Sequence, residues 1–182
     1  MAAALAHLPI LQPRRRLRLG AAVLAAILWS SVSATAQTRG CTVTPFTDPP
    51  RQVLSCAGGV TVSAEARSAY RLLDRNGDGR PDGAELTSGG LLIEAPPRRG
   101  GFQILTPHAI ASVRGTVWAV DVVPRRTSVF VQTGVVAVQR PQGQAVTLRA
   151  GDGVDVDADG GPLDVKQWGR ERAAGLLARF GR

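Results

Sequence analysis

The chain has little of what most catalytic and metal-binding chemistry needs. Its 182 residues include two His and two Cys. Only His108 lies beyond the apolar N-terminal segment, and no HExxH pair, zinc-ligand spacing or Gly-x-Ser-x-Gly elbow accompanies it. It is read as a turn or surface residue, and hydrolase and metalloprotease chemistry are set aside. No pair of carboxylates stands out as glycosidic cleavage would require. Aromatic residues make up 4% of the chain. No basic–aromatic motif is present, so nucleic acid is not expected as a partner. The expected protein is therefore not an enzyme.

What is present begins with the N-terminus. Arg14, Arg15, Arg16 and Arg18 precede an apolar run from Leu19 to Trp29, and Ala34-Thr35-Ala36 supplies small residues for cleavage. This is the pattern of a secretory signal peptide over residues 1–36. The run falls short of the roughly 20 residues that a span needs, and Ser30, Ser31 and Ser33 dilute its end. The expectation is a periplasmic protein with no integral membrane span after cleavage. The whole chain has 22 basic and 14 acidic residues, net +8. Removing the four arginines leaves 18 against 14, net +4.

An exported chain with two cysteines implies a disulfide between Cys41 and Cys56. Closing a loop of about 15 residues would stabilise by roughly 3 kcal/mol in the chain-entropy view. The bond would pin an N-terminal arm, residues 37–57, whose Pro45, Pro49 and Pro50 oppose helix. Between 63 and 94 the sequence admits a helix or a hairpin. The hairpin is preferred: a strand from Tyr70 to Leu73, an Asp/Gly-rich turn, and a return over Ala84 to Glu94. The apolar Leu91-Leu92-Ile93 run inside that return is bounded by Gly89-Gly90 and Pro96-Pro97.

From 101 onward short strand-like runs alternate with turn signals. Thr116, Trp118, Val120 and Val122 point one way, and Val117, Ala119 and Asp121 the other. Further runs cover Phe102–Leu105, Ala109–Val113, Ser128–Gln132, Val135–Gln139, Ala145–Leu148 and Gly153–Asp157. The expected fold is all-β, a sandwich or roll of short antiparallel strands over 58–160, closed by a short C-terminal helix. That helix, within 161–182, is drawn from the spacing of Val165, Trp168, Leu176, Leu177 and Phe180. Its apolar face would dock on the sheet. A helix that meets a membrane surface or a partner is the alternative.

An ordered set of motifs then emerges. Thr106-Pro107 is followed by Val113-Arg114-Gly115-Thr116, the aromatic Trp118, Ser128-Val129-Phe130-Val131, Gly134-Val135-Val136-Ala137-Val138, and the strand from Val146 to Val154 with its Gly151. This string resembles the FecR-type periplasmic domain. The resemblance covers roughly a third of the chain and implies a β-rich periplasmic domain that takes part in signalling. The archetype carries a cytoplasmic regulatory domain ahead of a membrane helix. Here about 18 residues precede the apolar run, so a stand-alone sensor or interaction module is expected, with an envelope or membrane protein as partner. Trp118, Phe130 and Trp168 are candidate anchors if exposed.

Two further features carry candidate chemistry. Asp74, Asn76, Asp78, Arg80 through its carbonyl, Asp82 and Glu85 fit the spacing of a calcium loop, with Gly79 at the sharp turn. The competing reading is an Asp/Gly-rich hairpin turn, since Asn76-Gly77 and Asp78-Gly79 favour one and Pro81 suits the calcium loop poorly. Calcium is the only candidate cofactor, and a calcium-binding envelope structural protein is the alternative function. Asp155, Asp157 and Asp159 alternate and read as a solvated edge rather than a metal site. Arg114, beside Gly115, is expected to be structural, pairing with a carboxylate across the sheet or with carbonyls at the glycine irregularity.

Overall fold

The computed structural model describes residues 40–97 and 101–182. The chain divides into two units, 1–34 and 35–182, and every described residue belongs to the second. The expected signal peptide, 1–36, lies outside the described residues.

In chain order the elements are β1 (Cys41–Thr47), β2 (Pro50–Cys56), β3 (Thr61–Glu65), β4 (Ala69–Leu73) and β5 (Gly83–Ala95). There follow β6 (Phe102–Leu105), β7 (Ile110–Val113), β8 (Thr116–Val123), β9 (Arg126–Thr133) and β10 (Val135–Gln139). The chain continues through β11 (Val146–Arg149), β12 (Asp152–Asp157), β13 (Lys166–Gln167) and α1 (Arg170–Ala178). The described residues are all-β with one short helix, as expected.

The strands form one curled sheet with two faces that meet, and β5 belongs to both halves. One half runs β1-β2-β3-β5-β8-β9-β12-β13, and the other holds β4 and β5 and continues through β6, β7 and β10 to β11. The first residues of β5 pair with β4 and, in the one parallel match, with β6 through Gly83 and Gln103. Its later residues, Gly89 to Ala95, pair with β8, and Leu91 to Glu94 also pair with β3. The switch falls at Gly89-Gly90. Gly89 has φ +81°, and a Cβ there would come within 2.6 Å of the Ser68 hydroxyl. That hydroxyl accepts from Gly90 N and donates to Gly90 O, which fixes the bend. The glycine pair therefore sits inside one strand as a kink, not at its boundary.

Period-two burial follows directly. Leu91 and Ile93, Trp118 and Val120, and Val129 and Val131 face inward from the first half. They meet Phe102, Ile104, Val136, Val138 and Leu148 from the second in one apolar cluster. Trp118 is 0% exposed at its centre. Truncating such a side chain to alanine costs about 3–5 kcal/mol.

The described part of the arm over 37–57 is a hairpin, β1 with β2, that extends the first half-sheet. The disulfide is present, with Cys41 and Cys56 directly opposite in register. Proline excludes helix there but not an outer strand, and Pro45 sits exposed on the edge strand β1. The helix at 161–182 is confined to Arg170–Ala178; ahead of it the chain is extended and forms β13 against β12. Val165 and Trp168 therefore do not share a helical face with Leu176. Docking on the sheet does occur: Leu176 and Phe180 join Leu92, Ala119 and Phe130 in a second apolar cluster on the outer face of the first half-sheet.

Candidate functional site

The motif that organises the sequence builds a corner. Val113 ends β7 in the core, the chain bends at Arg114-Gly115, and Thr116 begins β8 in the other half-sheet. Gly115 has φ +67°, a region costly for L side chains, and a Cβ would lie 2.8 Å from the Pro97 ring. The Thr116 hydroxyl donates to the Val135 carbonyl at 3.2 Å. Thr106 and Pro107 act at a second corner. The Thr106 hydroxyl closes the turn onto Ala109 and hydrogen bonds the buried Thr127 hydroxyl at 2.9 Å, while His108 Nδ1 meets the same Thr127 hydroxyl at 3.1 Å. These contacts tie the β6–β7 connection to β9. His108 is half-buried and held by Thr127, as a turn residue is.

Trp118 and Phe130 are buried, and Trp168 stacks on Phe130 with ring centroids 5.2 Å apart. Trp118 and Phe130 therefore do not meet the condition of exposure set for partner anchors and lie in the two cores, with the half-buried Trp168 packed against the second. Arg114 also departs from expectation. It is exposed and makes no ion pair or hydrogen bond among the described residues.

The Asp/Gly-rich stretch is the turn between β4 and β5, held by its own backbone. Asp74 accepts from the N–H groups of Gly77, Asp78 and Gly79 at 2.9–3.2 Å, and Asp78 accepts from Arg80 N at 2.8 Å and from the Asn76 amide at 3.2 Å. The other two candidate calcium ligands are engaged elsewhere. Asp82 pairs with Arg75 at 3.0 Å, and Glu85, on β5, pairs with Arg71 of β4. Among the described residues no group of three or more His, Cys, Asp or Glu side chains converges as a metal ion would need.

The carboxylates at 155, 157 and 159 are also dispersed. Asp159 pairs with Arg125 at 2.5 Å. Asp155 takes hydrogen bonds from Ser128 at 2.6 Å and Arg172 at 2.7 Å, with Arg126 at 4.0 Å. Burial alone would raise the Asp155 pKa. The bonds from Arg172 and Ser128 and the charges of Arg172 and Arg126 outweigh it and hold the group below the usual carboxylate value. Arg172 also lies over the Trp168 ring at 3.6 Å. Gly153 makes room for that ring, since a Cβ there would approach it to 2.2 Å. Further along, Arg179 donates to Glu65 at 2.5 and 2.6 Å and to Asp121 at 2.6 Å. The hydrogen bonds to Glu65 raise its pKa, burial opposes them, and Asp121 adds to the rise. The outer face of the first half-sheet is thus covered and clamped by the C-terminal segment.

Among the described residues, no segment covers the outer face of the second half-sheet in this way. Its inward residues are Phe102, Ile104, Ala111, Val136 and Val138, so Gln103, Ser112, Val135 and Ala137 point out. They floor an open groove of about 780 Å³, rimmed by Arg75, Arg80 and Arg114. Arg75 donates to Asp82 and Gln103 at 3.0 Å, and Gln103 donates to Ser112 at 3.1 Å, which fixes the polar part of the floor. Val135 is 43% exposed. Of the expected site residues, the groove gathers Asn76, Asp78, Arg80, Asp82, Val113 and Arg114. Gln103, Ser112, Val135 and Ala137 were missed: alternation marks them as outward but does not say which outward face stays open.

A family model described as FecR protein matches residues 47–137. Two crystal structures of a candidate anti-sigma factor from Parabacteroides distasonis ATCC 8503, at 2.50 and 1.65 Å resolution, share the fold. Each gives a TM-score of 0.58 at 18% identity and covers 75% of this chain. This chain spans 64% of that protein's length. No curated protein matches the sequence.

Proposed function

The chain belongs to the FecR protein family, and from that membership we propose that it is a non-enzymatic periplasmic sensor or interaction module. It modulates envelope signal transduction through contact with another envelope or membrane protein. The family supports a part in signalling. The Cys41–Cys56 disulfide fits an oxidising compartment, and none of the described helices is long and apolar enough to cross a membrane.

The observation that carries the reading is the asymmetry of the two outer faces. One is sealed by the C-terminal segment through Leu176, Phe180 and Arg179. The other presents a half-apolar, half-polar floor with Val135 and Ala137 beside Gln103 and Ser112. An exposed surface of mixed character with positioned polar groups suits protein contact. Crosslinked recovery from the native envelope tests it with the wild type and Val135→Arg. Val135 is exposed at the start of β10, so the variant should keep its Tm. We expect a specific protein to be recovered with the wild type and lost with V135R. Equal recovery with both would overturn the assignment of this face.

A further inference from the structure

We propose that the groove on the second half-sheet receives an extended acidic segment of a partner protein. Arg80 and Arg114 meet its carboxylates, and Val135 and Ala137 meet apolar side chains between them. The inference rests on the reading that the chain acts through protein contact and adds the chemistry of the occupant.

Arg71 is paired by Glu85, Arg125 by Asp159, Arg172 by Asp155 and Arg182 by Glu94. Arg67, Arg149 and Arg170 are exposed without a side-chain partner among the described residues, but they do not line the groove. Arg80 and Arg114 line one groove, yet neither guanidinium has an ion pair or hydrogen bond among the described residues. Asp82 is neutralised by Arg75, while Asp78 keeps its charge and accepts only from the neutral Arg80 N–H and Asn76 amide of its own turn. The described lining therefore holds three arginines against two carboxylates, net +1, and two of those arginines are planar donors without an ion pair, suited to carboxylates.

Shape argues for a chain segment. The floor crosses β6, β7 and β10, which are consecutive neighbours. Three strands at about 4.8 Å spacing present a width of about 10 Å, the length of about three residues of extended chain. Alternate side chains of such a segment would face the floor, so apolar residues at every second position meet Val135 and Ala137, and the acidic residues between them point off the floor, where the long rim arginines reach them. Gln103, fixed between Arg75 and Ser112, leaves little to be ordered on binding.

The test uses two fluorescein-labelled octapeptides, one alternating Glu and Val and the other Lys and Val, titrated into the purified protein by fluorescence anisotropy. We expect saturable binding of the Glu–Val peptide that weakens as salt rises, and little binding of the Lys–Val peptide. In R80E/R114E the Glu–Val affinity should fall at least tenfold and the Lys–Val peptide should become the better ligand. The milder R80Q/R114Q, with both side chains exposed and unpaired in the wild type, should fold normally and show the same loss without the reversal. Four results would overturn the proposal: no saturable Glu–Val binding, equal binding of both peptides, an unchanged affinity in the double variants, or tighter binding of a single-stranded oligonucleotide. If these fail while V135R still abolishes recovery of an envelope protein, only the acidic occupant falls and the protein-contact reading stands.

Discussion

Arg179 and Glu65, 114 residues apart in sequence, share two hydrogen bonds of 2.5 and 2.6 Å. The same guanidinium reaches Asp121 of β8 at 2.6 Å, so one side chain of the C-terminal segment holds two strands of the first half-sheet. Removing it leaves two carboxylates facing each other without a counter-charge. Arg179 is about a third exposed, which screens the loss. We expect Arg179→Ala to destabilise by about 1–2 kcal/mol, a fall in Tm of roughly 3–8 °C. Arg179→Lys should recover only part of it, since an ammonium lacks the planar fork that spans both partners. Thermal melts of the three proteins check this.

Asp155 sets an acid dependence. Its folded-state pKa lies below the ordinary 3.8 because Arg172 and Ser128 hydrogen bond the charged form. A depressed folded pKa contributes stability that is full above the unfolded value and is lost as pH falls through the folded one. The Tm difference between wild type and Asp155→Asn should therefore be constant from pH 7 down to about pH 5. It should shrink below the ordinary carboxylate value and vanish in stronger acid. A difference that grows on acidification would contradict the assignment.

Gly115 and Arg114 are neighbours with separable roles. Alanine at 115 would carry a positive φ and drive a methyl group into the Pro97 ring. Gly115→Ala should cost about 2–4 kcal/mol in urea unfolding. Arg114→Ala removes no contact within the described residues and should stay within about 0.5 kcal/mol of the wild type.

The turn from Asp74 to Glu85 is expected to be indifferent to calcium. An ion would have to compete with Arg71 for Glu85 and with Arg75 for Asp82. Calorimetry and thermal melts in millimolar calcium should show no binding heat and no rise in Tm. A saturable rise would instead support the calcium-loop reading of this stretch.

Much of the fold was legible because strand alternation is a local signal. The runs from Phe102 to Asp157 fall on β6 to β12 within a residue or two, and the 70–94 hairpin forms as read. What was not legible depends on contacts distant in sequence. Gly89-Gly90 looks like a boundary until Ser68 is found beside it, holding a kink in a strand shared by both half-sheets. Trp118 and Phe130 look like anchors until Trp168 and the C-terminal segment cover the sheet. Arg114 looks structural because a strand-flanking arginine can meet a carboxylate or carbonyl across the sheet, and only the fold shows that no described residue receives it. The groove escapes a reading of the sequence because its floor comes from three strands and its rim from two turns, and because no described segment lies over it.

We propose that a partner meets the open face of the second half-sheet and not the sealed face of the first. Site-specific photo-crosslinking in the native envelope addresses it most directly, with the photoreactive residue at Val135 on one face or at Ala174, exposed on α1, on the other. The account predicts a discrete adduct from position 135, reduced by R80E/R114E, and none of comparable yield from position 174. An adduct from 174 with none from 135 would contradict it.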